Sequence, residues 1–472
     1  MTTSRADLPL LVDRSAAAPL AAQLTAQLRD AVTSGALLAG DRLPSTRDLA
    51  TTLEVSRTVV TTAYAQLFAE GWLEGRHGSG TYVADVTPAL PRLPAAAPSP
   101  APALSSALES FSTAPPDPAA RPVSRDSGFI ELVTGVPWVA GIDPAMWRRA
   151  WRYAGTQAPS FFPDPYGLPG LRAELAHYLR RSRGLAVTPE HVLVTRGVAN
   201  GLSAIAAALV RPGDRVGVEE PGYEGAREVL RRAGARIVAC RVDGGGVVPE
   251  ELPGDLKLLY VTPAHQYPLG GRLPVHRRQA LTAWARSAGA VIVEDDYDGE
   301  FRYDVAPLPA LYSMDPEVVV YLGTTSKMLT PVFGTGWLAA PPDLVRLLAE
   351  RRREVSERVP EPAQHALLAM LTSGNLERHV RRMRLEYGRR RAALMGLPEL
   401  RGDSAGLHVV LELRRPAAEF VSAAAERGVG LSDVDRFFLG PPTLNAVVLG
   451  YGATPLTQVR RAAAALLPLL PA

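Results

Sequence analysis

Cysteine is nearly absent: Cys240 stands alone, which excludes a disulfide framework and a Cys-rich zinc site and points to a reducing compartment. No uninterrupted apolar run is long enough to span a bilayer. The opening Met-Thr-Thr-Ser-Arg-Ala-Asp has no basic segment feeding an apolar one, so a cytoplasmic protein without membrane or metal is expected. There is no internal repeat, and no large excess of either charge. The net charge of +3 permits nucleic-acid binding without requiring it. What the chain does have is length and apolar content, 472 residues at 47% hydrophobic, too much for one core.

Composition divides the chain into three parts. Residues 85–127 are rich in Pro, Ala and Ser and poor in large apolar side chains, so they cannot bury enough surface to offset the entropy of ordering and read as a linker. Before them, residues 1–84 show helical spacing from Pro19 to Thr33, then a serine cap at Ser45 opening a short helix, then Ser56 capping a helix over 57–70. Two β-prone runs around a Gly-rich tip follow, between Trp72 and Val83. The sum is a winged helix-turn-helix. After the linker, residues 128–472 alternate β-branched strands with helix-length segments, with strands expected at 191–195, 215–218, 236–240, 258–262, 290–294 and 318–322. That pattern predicts an α/β domain with a mostly parallel, doubly wound sheet, and a smaller C-terminal α+β subdomain from about Pro342.

A winged helix-turn-helix lays its second helix in the major groove of double-stranded DNA while small polar side chains and amides hold phosphates. Arg57 and Thr58 open that helix and Thr61 lies one turn on, so these three are expected to reach base edges, with Ser56 at the cap. Ser45, Thr46 and Arg47 at a helix start suit phosphates, and Arg76, His77 and Gly80 of the wing suit a minor groove. Residues 1–84 hold seven arginines, no lysine and eight acids, so any attraction to DNA is local.

In the large domain, Lys327 follows Gly323-Thr324-Thr325-Ser326, about thirty residues beyond Glu294-Asp295-Asp296-Tyr297. A lysine amine can form a Schiff base with pyridoxal 5'-phosphate, whose ring nitrogen then needs a carboxylate, its ring an aromatic cover and its phosphate a helix N-terminus. Asp295 is placed for the nitrogen, Tyr297 for the phenolic oxygen and Tyr223 for the ring face. In Thr195-Arg-Gly197-Val-Ala-Asn200 the amides of Val198 and Ala199 point where a phosphate would sit, and Thr324 and Ser326 offer hydroxyls. Read singly, each residue has a plainer explanation: surface lysine, helix-capping aspartate, core tyrosine.

Two sets of motifs carry a resemblance. Pro44-Ser-Thr-Arg47-Asp-Leu-Ala, Val55-Ser-Arg57-Thr-Val-Val and Gly78-Ser-Gly-Thr81-Tyr-Val resemble the GntR family, which implies DNA contacts at Arg47, Arg57, Thr58 and the wing. Thr262-Pro-Ala-His265-Gln-Tyr-Pro-Leu-Gly270, Glu294 to Tyr303, Gly323 to Lys327 and Gly406-Leu-His-Val-Val resemble the fold-type-I aminotransferases, and specifically the MocR branch of GntR regulators. The resemblance implies a domain-swapped, head-to-tail homodimer that binds pyridoxal phosphate and regulates transcription, with His265 and Asn200 at the cofactor.

Departures from that pattern narrow the reading. Val448 stands where amino-acid-binding members carry an arginine that forks onto the substrate carboxylate, which favours pyridoxal phosphate itself as the effector, as in the family's vitamin B6-synthesis regulators. Arg436 or Arg302 moving in would restore an amino-acid or amine effector. Gly334 occupies the place of a phosphate-binding arginine, and Phe162 that of a tyrosine, leaving the phosphate to amides, hydroxyls and Tyr166 from a partner subunit. The basic run Arg378 to Arg384 with Arg389 to Arg391 reads first as a solvated helix face. Residual aminotransferase activity, or a domain that only dimerises, are the other outcomes in view.

Overall fold

The computed structural model describes residues 10–16, 18–33, 36–76, 80–85, 128–305 and 308–470; the linker expected over 85–127 lies, beyond Asp85, outside the described residues. The chain divides into two compact units, Met1–Pro115 and Pro116–Ala472.

In the first unit, α1 (Leu20–Thr33) turns Leu24, Leu28 and Val32 inward at helical spacing. The short α2 (Thr46–Thr52) is capped by Ser45, whose Oγ accepts the Asp48 N–H at 3.1 Å. Ser56 caps α3 (Arg57–Ala69) without a side-chain bond. A hairpin of β1 (Leu73–Arg76) and β2 (Gly80–Val83) pairs antiparallel with Arg76 opposite Gly80. Leu24, Leu28, Leu49, Val60, Leu67 and Val83 meet in one core, each contributing roughly 1.5–3 kcal/mol of burial before entropy is counted.

The second unit opens with β3 (Ile130–Glu131) and is built on an eight-stranded sheet. Its strands are β4 (Val192–Thr195), β5 (Arg215–Glu220), β6 (Arg236–Asp243), β7 (Gly246–Val247), β8 (Leu258–Val261), β9 (Val291–Asp296), β10 (Val319–Thr324) and β11 (Gly336–Ala339), in the order β4-β11-β10-β9-β8-β5-β6-β7. The five from β10 to β6 run parallel, and β11 is antiparallel to both its neighbours. Side chains alternate between two covered faces. Leu259, Ile292 and Tyr321 pack toward helices Pro169–Arg183 and Val275–Ala288, whereas Tyr260, Val293 and Leu322 pack toward Val198–Leu209, Glu224–Arg232 and Pro342–Glu354. Because successive residues face opposite sides, Asp295 falls on the second face and Asp296 on the first.

The smaller part combines β12 (Leu400–Arg401), β13 (His408–Glu412), β14 (Val429–Gly430), β15 (Ser432–Asp433) and β16 (Ala446–Gly450) with the long helix Asn375–Leu394. Four strands form a sheet in the order β12-β13-β16-β15, and β14 pairs with β3. The expected strands are present, with ends shifted by up to three residues. The strand β11 was not anticipated, since Gly-Trp-Leu-Ala contains no β-branched residue and joins the sheet only through long-range pairing.

Candidate functional site

The parallel strands end together, and the crevice outside their carboxyl ends is where an open α/β sheet binds ligands. Asp295 at the end of β9 is buried, with one oxygen accepting the Tyr260 hydroxyl and Oδ1 buried without a hydrogen-bond partner. Burial, with the Tyr260 bond and Lys327 opposing it, pushes its carboxyl up to about 7. The Lys327 amine donates to the Gly135 carbonyl at 2.6 Å, and Gly135 has a φ of +70° with its Cα facing that amine. An orphaned carboxylate oxygen on the same side of the sheet as a half-buried amine is the polar pair that pyridoxal phosphate requires, so the residues fit that group.

The remaining predicted residues are distributed as follows. Tyr297 donates to the His265 carbonyl at 3.0 Å and lies 3.0 Å from His265 Nδ1, which is also 3.0 Å from Asp298 Oδ2. The His265 ring packs 5.0 Å from that of His408, whose Nε2 lies 2.9 Å from the Pro268 carbonyl and which burial pushes down to about 3, keeping it neutral. His265, Asp298 and His408 bring ligand-type atoms within 4.8 Å of one another. In that trio the bonds just named engage His265 Nδ1 and His408 Nε2, while His265 Nε2 is buried without a hydrogen-bond partner. Tyr223 stands edge-on to Tyr267, ring centroids 6.1 Å apart.

Val198 and Ala199 begin the helix Val198–Leu209, after Gly197 with φ +116°. A Cβ on Gly197 would sit 3.6 Å from the Thr324 hydroxyl, and Thr324 in turn donates to Ser326 Oγ at 2.9 Å. Two amides and two hydroxyls therefore converge at one helix N-terminus, a suitable seat for a phosphate. The Asn200 side chain is turned elsewhere. Its Oδ1 accepts the Arg196 N–H at 3.0 Å and Arg352 Nη2 at 3.3 Å, and its Nδ2 donates to Glu357 at 2.7 Å. Gly334 closes a short turn with φ +63°, Phe162 is 85% exposed, and the Arg172 guanidinium lies 5.2 Å from the Tyr166 ring centre.

Val448 is fully buried in a cluster with Val410, Val434, Phe437, Phe438 and Ala446. Arg302 is committed to Asp304 and Asp403 at 2.9 and 3.1 Å. Arg436 lies with its guanidinium 4.8 Å from the Phe437 ring centre and donates to Thr134 Oγ1 at 3.0 Å, one residue from the carbonyl that holds Lys327.

Sequence reasoning missed Tyr260, Gly135 and Glu219. Glu219 accepts from the Thr262 N–H and hydroxyl and from Gln266, and burial pushes it up to about 7. Tyr260 and Asp295 are 35 residues apart, and Gly135 and Lys327 are 192 apart, so no local motif marks either pair.

On the DNA-reading unit, Ser45, Arg47, Ser56, Arg57, Thr58, Thr61 and Gly80 are exposed and Thr46 is half-buried. Arg57 Nε donates to the Thr46 hydroxyl at 3.3 Å, joining the starts of α2 and α3, and Thr61 donates back to the Arg57 carbonyl at 2.9 Å. Arg76 ends β1, while His77 lies outside the described residues. Arg42, absent from the expected set, lies against the wing. A Cβ on Gly80 would meet its Nε at 3.1 Å.

Comparison with known proteins matches residues 20–83 to the model for bacterial regulatory proteins of the gntR family and residues 139–434 to the model for aminotransferase class I and II. The chain is 39% identical over 454 residues, 95% of both chains, to the HTH-type pyridoxine biosynthesis transcriptional regulator PdxR of Corynebacterium glutamicum. It is 35% identical over 473 residues, 95% of this chain and 93% of the relative, to the probable rhizopine catabolism regulatory protein MocR of Rhizobium meliloti. An archaeal alanine:glyoxylate aminotransferase superposes with a TM-score of 0.67 at 25% identity, covering 72% of this chain and 90% of that one.

Proposed function

The chain belongs to the MocR-type branch of the GntR transcriptional regulators, with a DNA-binding winged helix-turn-helix and an aminotransferase-like domain, and from that premise we propose that it senses pyridoxal 5'-phosphate. The cofactor would be held covalently by Lys327, with Asp295 at its ring nitrogen, Tyr297 at its phenolic oxygen, Tyr223 over its face and its phosphate at Val198, Ala199, Thr324 and Ser326. Bound there, it would supply an electron sink; the chain's own residues bind and orient it. The observation that carries the reading is the buried, unpartnered Oδ1 of Asp295 beside Lys327. Through it the chain controls transcription from operator DNA, contacted by Ser45, Thr46, Arg47, Ser56, Arg57, Thr58, Thr61, Arg76, His77 and Gly80. The PdxR relative's printed role makes vitamin B6 synthesis genes the targets we infer. The working form is a homodimer.

Turnover is not part of the proposal, because a valine in an apolar cluster replaces the bidentate carboxylate anchor. The test is spectroscopic. Purified full-length protein mixed with pyridoxal phosphate gains a visible band that Lys327→Ala abolishes, and amino donors with keto acids give no sustained product. Steady transamination would refute the sensing role, and an unchanged spectrum would refute cofactor binding. One observation favours a second reading, an amino-acid or amine effector: Arg436 reaches Thr134, next to the carbonyl on Lys327. Amino acids that displace the band in wild type but not in Arg436→Ala would support it.

A further inference from the structure

We propose that Arg183, outside every motif named above, is a positioning residue for the cofactor site: by neutralising Asp296 it keeps Asp295 able to hold negative charge opposite a ring nitrogen. The functional meaning rests on the pyridoxal-phosphate reading; the charge coupling itself does not.

Arg183 ends the helix Pro169–Arg183, and its side chain and that of Asp296 are both fully buried in an ion pair. It also donates to the Gly299 carbonyl at 3.0 Å, and Asp296 accepts the Tyr321 hydroxyl at 2.7 Å. The approach is so close that a Cβ on Gly299 would fall 2.1 Å from both the guanidinium and the carboxylate. A buried ion pair is a poor way to stabilise a fold, since desolvation offsets most of the attraction. Its place in the strand suggests what else it does.

Asp296 and Asp295 are consecutive on β9 and face opposite sides of the sheet. Facing Asp295 are Tyr260 from β8 and Lys327 after β10, with Asp298 and Tyr297 from the following turn and Glu219 of β5 beside Tyr260. On the other face, Asp296 shares its surroundings with Arg183, Arg278, Tyr321, Glu294 and Glu300, the last bonded to Tyr178 at 2.9 Å. Asp296 acts through the backbone layer to disfavour charge on Asp295. Arg183 is the cation in direct contact with Asp296, so it sets how much of that repulsion Asp295 feels. The same arginine ties down the 297–300 turn that carries Tyr297 and Asp298.

The experiment is an infrared titration of the ligand-free full-length chain, with the Asp295 signal isolated as the difference from an otherwise identical chain carrying Asp295→Asn. In Arg183→Met the Asp295 midpoint moves up by about one pH unit; in Asp296→Asn it moves down; in the double variant, with both charges gone, it returns to the wild-type value. A merely structural role would displace the double variant as far as Arg183→Met. An unchanged midpoint in Arg183→Met, or a double variant that does not return, overturns the proposal. If Arg183→Met does not fold, Asp296→Asn and the double variant still decide: one down and one restored supports the coupling, both unchanged refutes it. Pyridoxal phosphate added to the same samples separates the two claims, because a wild type without a visible band refutes the cofactor reading and leaves the carboxylate titration standing.

Discussion

At Asp295, burial works against the charge that the proposed cofactor contact requires. Its carboxyl rises from 3.8 to about 7 on folding, so between those values the native state binds more protons than the unfolded chain. Stability therefore falls as pH rises through that window, and Glu219, Glu294 and Glu300, each raised from 4.5 to about 7, act in the same direction. The neutral Asp295→Asn side chain removes one of these contributions. We expect the difference in unfolding free energy between pH 5 and pH 8 to shrink by roughly 1–4 kcal/mol in that variant, measured by urea denaturation of the ligand-free protein. The same substitution weakens pyridoxal phosphate binding by about tenfold or more, the worth of a hydrogen bond to a charged group; an unchanged affinity in a spectroscopic titration would remove Asp295 from the site. The type of these residues was readable in the sequence, because carboxylate, tyrosine and lysine at strand ends form a chemical set. Their partners were not: Tyr260 looks like any core tyrosine until β8 and β9 lie side by side.

At the scale of elements, glycine governs the closest approaches. Gly406 precedes β13 with φ +77°, and a Cβ there would come 2.0 Å from the His265 ring and 2.9 Å from Asp298. Gly406→Ala thus forces apart the imidazole and the strand that leads to His408. The expected cost is about 1–3 kcal/mol of overpacking, with the left-handed backbone adding to it. Denaturation of the ligand-free chain checks this, and a midpoint within error of wild type would mean that the contact relaxes freely. Helices and parallel strands were legible because their apolar periods of 3.6 and their β-branched runs are local properties. The strands β11, β12, β14 and β15 were not, being short segments that exist only because a neighbouring strand completes their hydrogen bonds. Asn200 is a like case at residue level: its position at a phosphate-type helix start was visible, but its bonds to Arg352 and Glu357 depend on the helix Pro342–Glu354 and the segment just after it, some 150 residues later.

On the scale of the whole molecule, the DNA-reading helix-turn-helix and the proposed cofactor site fall in two separate compact units. They are expected to be separable by mutation. Arg57→Ala abolishes operator binding in a gel-shift assay while leaving the visible band of the cofactor-loaded protein intact, whereas Lys327→Ala removes the band and leaves the winged unit folded. Retained operator binding in Arg57→Ala would mean that α3 is not the reading helix. The division into units was legible from composition, since a Pro, Ala and Ser segment interrupts two apolar patterns.

Lys327 offers an unusually clean assay, since Lys257 is the only other lysine in the sequence. Full-length protein incubated with pyridoxal phosphate, reduced with borohydride and digested should carry the phosphopyridoxyl group on the peptide containing Lys327, with Lys257 unmodified. Saturating pyridoxal phosphate that leaves Lys327 unmodified, or labels Lys257 equally, would contradict the account.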